Sequence, residues 1–323
     1  MLFLPHANIV SPNIFIGYLS VTNYSDVAVI IPCMNEEIAI AKVVKDFKAA
    51  LPGCVVHVYD NNSTDKTAEV AEKAGAIIGF EPRPGKGNVV RRMFSEIDSE
   101  IYLMIDGDDT YDPEAAPEIV EAVRNRMDMV VGVRSGALEK HQRSGHAFGN
   151  SMFNVLYNAS LGQDFSDIFS GYRGFSKRFV KSFPALSQGF EIETELSAHA
   201  SQLRLPVKEI PTRYSTRAEG SESKLSTFKD GARILKTIIV LMKEYKPLYF
   251  FSFIGLIGIL IAVMVFIPVF LDYLENPEVS LIPTAVLSTG IVLIAMLSFT
   301  AGVILDSIRR FRAEVKRMFY NIT

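Results

Sequence analysis

Ile101-Tyr102-Leu103-Met104-Ile105 runs directly into Asp106-Gly107-Asp108-Asp109. Five apolar or aromatic residues in succession predict a strand buried on both faces, as in a parallel sheet covered by helices. The chain then places three carboxylates in four positions. In an open α/β sheet, ligands gather at the carboxyl ends of the strands. An Asp-x-Asp pair delivered to that edge can seat a hard divalent cation, which takes oxygen ligands and bridges to phosphates. A solvated acidic turn would use the same residues, so the surrounding chain has to decide.

Toward the N-terminus, Val27 to Ile31 reads as a short strand closed by Pro32. Ile40, Val43, Val44, Phe47 and Leu51 recur at helical spacing. Val55 to Tyr59 is a second strand, ending in Asp60-Asn61-Asn62-Ser63-Thr64-Asp65. Ser63 or Thr64 is expected to cap the next helix and Gly75 to end it. Ala76 to Phe80 is a third strand, and Gly85-Lys86-Gly87 leads into a helix from about Asn88 to Ile97. On the other side, Asp112 caps a helix with Pro113 at its first position, and Asp128 to Val133 is again a strand. Strands alternating with helices imply a mostly parallel, helix-covered sheet. Farther on the pattern is mixed, with helices near 147–161 and 191–203. Val207 to Tyr214 is extended but broken by Pro211, and Thr216 to Ser226 is a polar loop.

The 323 residues carry a net charge of −3, which leaves no nucleic-acid footprint. Cys33 and Cys54 make no disulfide framework and fit a reducing compartment. The histidines show no metal-ligand spacing. Residues 1–25 have neither the charged start of a signal peptide nor the length of a spanning helix, and read as an extension.

Leu248 to Leu271 is 24 residues without a charge, and Val279 to Leu305 is 27. At the rise of an α-helix each would reach about 36–40 Å, more than the hydrocarbon core of a bilayer. The connector, Asp272 to Glu278, holds acids and no Lys or Arg, whereas Lys243, Lys246, Arg309, Arg310, Arg312, Lys316 and Arg317 flank the outer ends. The positive-inside rule therefore puts both termini and the preceding domain in the cytoplasm. The basic tail and the segment carrying Lys229, Arg233 and Lys236 are expected along anionic headgroups. The resulting division is an extension (1–25), an α/β domain (26–226), a juxtamembrane helix (227–247), a membrane hairpin (248–305) and a basic tail (306–323).

Six short motifs stand in order at strand ends and loops: Pro32-Cys33-Met34-Asn35-Glu36-Glu37, Asp60-Asn61-Asn62-Ser63-Thr64-Asp65, Gly85-Lys86-Gly87, Asp106-Gly107-Asp108, Ser170-Gly171-Tyr172-Arg173 and Gly220-Ser221-Glu222-Ser223-Lys224. Together they resemble glycosyltransferase family 2 with the GT-A fold, specifically the polyprenyl-phosphate (dolichyl-phosphate-type) glycosyltransferases, from about Ala28 to Leu225. The resemblance implies a Rossmann-like, mostly parallel sheet with two C-terminal transmembrane helices. It implies that Pro32, Asn35, Glu36, Asp60, Asn62 and Gly107 help hold a nucleotide sugar. Lys86 would pair with its diphosphate, and Asp106 and Asp108 would place Mg2+ or Mn2+ on it. Thr110 stands where related lipid-phosphate mannosyltransferases often have Gln, so a third protein ligand to the metal is left open.

The same resemblance assigns Arg134 and Arg143 to the acceptor phosphate, places Arg173 in the same binding region, and gives Arg217, Ser223 and Lys224 to a loop over the donor. Asp167 orients the acceptor, acts as a weak base, or is a structural carboxylate paired to Arg173. Glu191 and Glu193 either lie near the sugar or favour a helix N-terminus. A lipid monophosphate is largely dianionic near neutrality, its second pKa being about 6, and can attack without a strong base. The expected reaction is an inverting, metal-dependent transfer of one sugar from a UDP- or GDP-sugar to polyprenyl phosphate, for envelope glycan or glycoconjugate assembly. The alternatives are a catalytically silent assembly partner on the same fold, or a family 2 enzyme with another lipid-linked acceptor. A bilayer is a partner in every version, and a homo-oligomer is compatible with the sequence.

Overall fold

The structure is a computed structural model that describes residues 23–135, 165–185, 192–215, 239–240, 242–275 and 280–322. In chain order these form β1 (Val27–Cys33), α1 (Ile40–Ala50), β2 (Val55–Asp60), α2 (Thr67–Lys73), β3 (Ile77–Phe80), α3 (Lys86–Glu96), β4 (Ile101–Met104), α4 (Ala116–Arg124) and β5 (Met129–Ser135). They continue as β6 (Arg173–Ser176), α5 (Lys177–Ser182), α6 (Ile192–Leu203), β7 (Val207–Arg213), α7 (Pro247–Glu275) and α8 (Ile282–Ile322).

The seven strands make one sheet in the order β3-β2-β1-β4-β6-β5-β7. β6 is antiparallel to both its neighbours, and the other described pairings are parallel. The carboxyl ends of β1, β2, β4 and β5 therefore share one edge with the start of β6. Alternation sorts the strand side chains onto two cores. Ala28, Ile30, Tyr102, Met104 and Val131 pack with residues of α3, α5 and α6, whereas Val29, Ile31, Ile101, Leu103 and Val130 pack with α1 and α4. Burial on both faces is why β4 is uniformly apolar.

Local signals explain several boundaries. Asp112 accepts from the Glu114 N–H at 3.0 Å, with Pro113 following, as the sequence suggests. Gly75 closes α2 with φ 92°, a conformation that favours glycine. Ser63 and Thr64 do not cap α2. Ser63 is drawn instead to the loop after β1, and Asp65 accepts from the Thr67 N–H. Pro211 does not break β7, because that strand lies at the sheet edge, where a missing N–H costs little.

α7 and α8 pack along each other. The glycines let the backbones approach: Gly255 faces Ala295 and Phe299, and Gly302 faces Leu248 and Phe251. The Ser298 hydroxyl donates to the Phe251 carbonyl at 2.9 Å. Both helices are long and apolar enough to cross a membrane, with mean hydropathies of 3.0 and 2.2 in their most apolar windows. Only 17% of each window is buried, so neither is a core helix of the domain.

α8 runs unbroken from Ile282 to Ile322, and its last turns rest on the α/β domain. Tyr320 donates to Asp128 Oδ2 at 2.6 Å, Lys316 to Gln202 Oε1 at 3.0 Å and Arg317 to the Leu203 carbonyl at 2.8 Å. Arg309 and Arg310 pair with Asp306. Lys316 and Arg317 thus reach the α/β domain, contacts that the sequence does not announce. Lys229, Arg233 and Lys236 lie outside the described residues.

Candidate active site

The turns after β1, β2 and β3 are stitched together. Asn35 sits at φ 54° and Asn62 at φ 63°, left-handed conformations that Asn tolerates. The Asn35 N–H donates to Ser63 Oγ at 2.9 Å, and its carbonyl oxygen Oδ1 accepts from the Thr64 N–H at 2.8 Å. The Glu36 N–H reaches Thr67 Oγ1 at 2.8 Å. The Asn61 amide donates to the carbonyls of Glu81 and Arg83 and accepts from the Gly85 N–H at 2.7 Å. Asn62 donates to the Pro82 carbonyl at 3.0 Å. Pro32 pairs in register with Tyr59 at the foot of this cup. Asp60 Oδ2 accepts from the Ser63 N–H, while buried Oδ1 has no hydrogen-bond partner among the described residues. A buried acceptor left unsatisfied costs about 1–3 kcal/mol, a cost that any N–H or O–H donor reaching it would remove.

Lys86 is the first residue of α3, after Gly85 at φ 121°. Its Nζ lies 2.5 Å from Asp106 Oδ1 and 2.5 Å from Glu193 Oε1 at the start of α6. Burial alone would lower the Lys86 pKa, but the attraction of Asp106 and Glu193 outweighs it and holds the ammonium charged. Asp108 is buried, and its Oδ1 accepts from the Thr110 hydroxyl at 2.6 Å. Asp109, at φ 59°, gives its carboxylate to Lys42 of α1 at 2.7 Å. Gly107 lies against β1, where an added Cβ would stand 2.5 Å from Cys33 Sγ. At Gly171 a Cβ would stand 2.6 Å from Asp106 Oδ2.

At the end of β5, Arg134 grips Asp167 through Nε and Nη2, both at 2.7 Å. Its guanidinium lies 5.4 Å over the Tyr214 ring. Tyr214 in turn bridges to Tyr111, and the Ser215 N–H donates to the Thr110 carbonyl. The Tyr111 hydroxyl accepts from the Gly171 N–H at 2.8 Å. Asp106, Asp108, Arg134 and Asp167 are thereby tied into one edge of the sheet.

Arg173 does not join them. It is fully buried beneath the edge, donating to the carbonyls of Ser170 and Ile168 and to Ser197 Oγ. The phosphate-binding assignment is therefore corrected: the guanidinium is used up inside the domain, fastening α6 to the sheet. Asp167 pairs with Arg134 and not with Arg173. Arg143, Glu191, Arg217, Ser223 and Lys224 lie outside the described residues.

Among the described residues no three His, Cys, Asp or Glu side chains converge on a metal position. The Asp106–Asp108 pair still fits Mg2+ or Mn2+, ions that commonly take one or two carboxylates and complete their shell with water and substrate phosphate. Thr110 orients Asp108 by donating its hydroxyl proton to Oδ1. The Lys86–Glu193 contact and the Tyr111–Gly171 bond were not legible from the chain, since each joins residues from separate motifs.

Residues 28–183 match the family model described as Glycosyl transferase family 2. The chain is 33% identical over 235 residues to glycosyltransferase AglJ of Haloferax volcanii, covering 71% of this chain and 76% of that one. It is 30% identical over 223 residues to a dolichyl-phosphate hexose transferase of the same organism, covering 68% and 96%. Glucosyl-3-phosphoglycerate synthase from Mycobacterium tuberculosis, crystallised with Mn2+, UDP-glucose and phosphoglyceric acid, superposes with a TM-score of 0.54 at 22% identity, over 67% of this chain and 78% of that one. The chain belongs to glycosyltransferase family 2 and has its GT-A-like mixed sheet.

Proposed function

We propose that this enzyme transfers one sugar from a UDP- or GDP-linked donor to polyprenyl phosphate at the cytoplasmic membrane face, with inversion. The observation that carries this reading is the gathering of Asp60, Lys86, Asp106, Asp108 and Arg134 on one sheet edge of a domain attached to two membrane-length helices. The relative named as a dolichyl-phosphate hexose transferase supports the acceptor class.

Asp60 Oδ1 would accept from the base, and the turns carrying Asn35, Glu36 and Asn62 would enclose base and ribose. Asp106 and Asp108 would hold Mg2+ or Mn2+, which when bound supplies Lewis-acid stabilisation of the departing diphosphate. Lys86 would add a second cation there. Arg134, kept charged by Asp167, would receive the lipid phosphate, whose dianion needs no strong base. Asp167 is then a positioning carboxylate. Arg143, Arg217, Ser223 and Lys224 would supply further cations and a hydroxyl around the two anionic substrates.

The test is transfer by the purified full-length protein in detergent, using undecaprenyl phosphate and labelled UDP- and GDP-sugars. The expected result is one labelled lipid from one donor, abolished by EDTA and restored by Mn2+ or Mg2+. Labelled nucleotide sugar that binds yet never enters lipid would defeat the reading.

A further inference from the structure

Lys86 has two carboxylate partners, and they differ in their surroundings. The Lys86 side chain is 10% exposed and Glu193 5%, whereas Asp106 is 30% exposed and forms the open side of the cluster. Glu193 is held firmly. Ser197 donates to the Glu193 carbonyl one turn along α6, and Arg173 donates to Ser197 Oγ at 2.8 Å. The ammonium thus has one fixed, buried anchor and one that faces the substrate edge.

An ammonium 2.5 Å from Asp106 Oδ1 stands in the shell where a divalent ion would meet the same oxygen, about 2.0–2.6 Å. Asp106, Asp108 and Glu193 bring three negative charges and Lys86 one positive, leaving −2 for the cluster. A dication added at Asp106 is therefore attracted by the carboxylates and repelled by the ammonium, which is itself only 10% exposed. Glu193 lets Lys86 leave Asp106 without becoming a lone buried charge.

We infer that Glu193 is a positioning residue that makes Lys86 a resident counter-cation of Asp106, exchanged for a divalent ion as the nucleoside diphosphate arrives, with Lys86 passing from Asp106 to the diphosphate while still held by Glu193. This rests on the donor and metal reading above and adds an order to it: metal and nucleotide enter together because each removes an obstacle to the other.

The experiment is Mn2+ binding by the full-length protein, followed through the free-ion signal in electron paramagnetic resonance, without nucleotide and then with UDP or GDP. Lys86→Met should bind Mn2+ about tenfold more tightly than wild type without nucleotide, since one repelling charge is gone. Glu193→Gln should weaken Mn2+ by a similar factor and strengthen metal-free UDP or GDP binding, measured by calorimetry. A Glu193 that merely favours its helix would give no such opposed pair. Should Lys86→Met fail to fold, Lys86→Met/Glu193→Gln compared with Glu193→Gln alone should show the same tightening. Unchanged or weaker Mn2+ binding on loss of Lys86, in a protein that retains Mn2+ with UDP or GDP, overturns the inference alone. A wild type that holds no Mn2+ with either nucleotide overturns the metal reading, and the inference with it.

Discussion

Arg134 and Asp167 meet as a planar fork, two N–H···O bonds of 2.7 Å joining the end of β5 to the segment that leads into β6. The Arg134 backbone N–H adds a third bond to the same carboxylate at 3.2 Å. The two side chains are only 15% and 10% exposed. Burial acts to lower the Arg134 pKa, but Asp167 reverses this and fixes the positive charge.

Asp167→Asn should strip that compensation and destabilise the domain by on the order of 3 kcal/mol, the cost of breaking a buried pair from one side. Thermal unfolding in detergent should show a fall of several degrees. Arg134→Met/Asp167→Leu should recover part of the loss, because no buried charge then stands alone. An unchanged midpoint in Asp167→Asn would remove the pair from the fold's supports.

Gly107→Ala should fold yet lose most transfer activity, because its Cβ would stand 2.5 Å from Cys33 Sγ and push the Asp106–Asp108 turn off β1. Gly107 has no left-handed backbone to defend, so the clash is the whole defect. Cys33→Ala/Gly107→Ala should therefore recover activity that Gly107→Ala lacks. Equal activity losses in the single and double variants would place the fault elsewhere.

His199 is buried against the rings of Phe179 and Phe183, with Nε2 3.0 Å from Ser182 Oγ. Burial, with a smaller push from Lys316, lowers its pKa from 6.5 to about 3. Between those values the unfolded chain takes a proton that the folded one refuses. Stability is thus fully present above pH 6.5 and falls as pH drops through the window, by about 1.4 kcal/mol per unit at most. His199→Gln should flatten the fall in melting temperature between pH 6.5 and 5; an unaltered slope would contradict the assignment.

Tyr320, Arg178 and Asp128 bind the end of α8 to the domain, the Arg178 guanidinium lying 5.1 Å over the Tyr320 ring. Tyr320→Ala should raise amide exchange in residues 312–322 by about tenfold while leaving β1 and β4 protected, since local opening follows the loss of local contacts. Unchanged exchange in the tail would mean the apolar hairpin alone sets its position.

Much of this architecture is written in local pattern. The uniform run at β4 and the amphipathic spacing of Ile40 to Leu51 specify elements that burial alone can satisfy. β6 escaped because Arg173-Gly174-Phe175-Ser176 has neither length nor alternation, and its strand identity comes from β4 and β5 on either side. That is also why Arg173 reads as a ligand in sequence and is an internal brace in the fold. The Asp-x-Asp turn stands out in the sequence because its carboxylates follow a strand end. The contacts of Lys86 with Glu193 and of Arg134 with Asp167 are set by tertiary closure across 107 and 33 residues and leave no local mark.

The most direct measurement is mass spectrometry of the lipid product formed by the full-length enzyme from polyprenyl phosphate and its preferred nucleotide sugar, beside Asp108→Asn prepared identically. The expected product is polyprenyl phosphate heavier by one sugar residue, joined through the phosphate, and absent with Asp108→Asn despite an unchanged fold. Sugar found only on a lipid-linked saccharide, or equal product from Asp108→Asn, would contradict transfer to the lipid phosphate at this carboxylate edge.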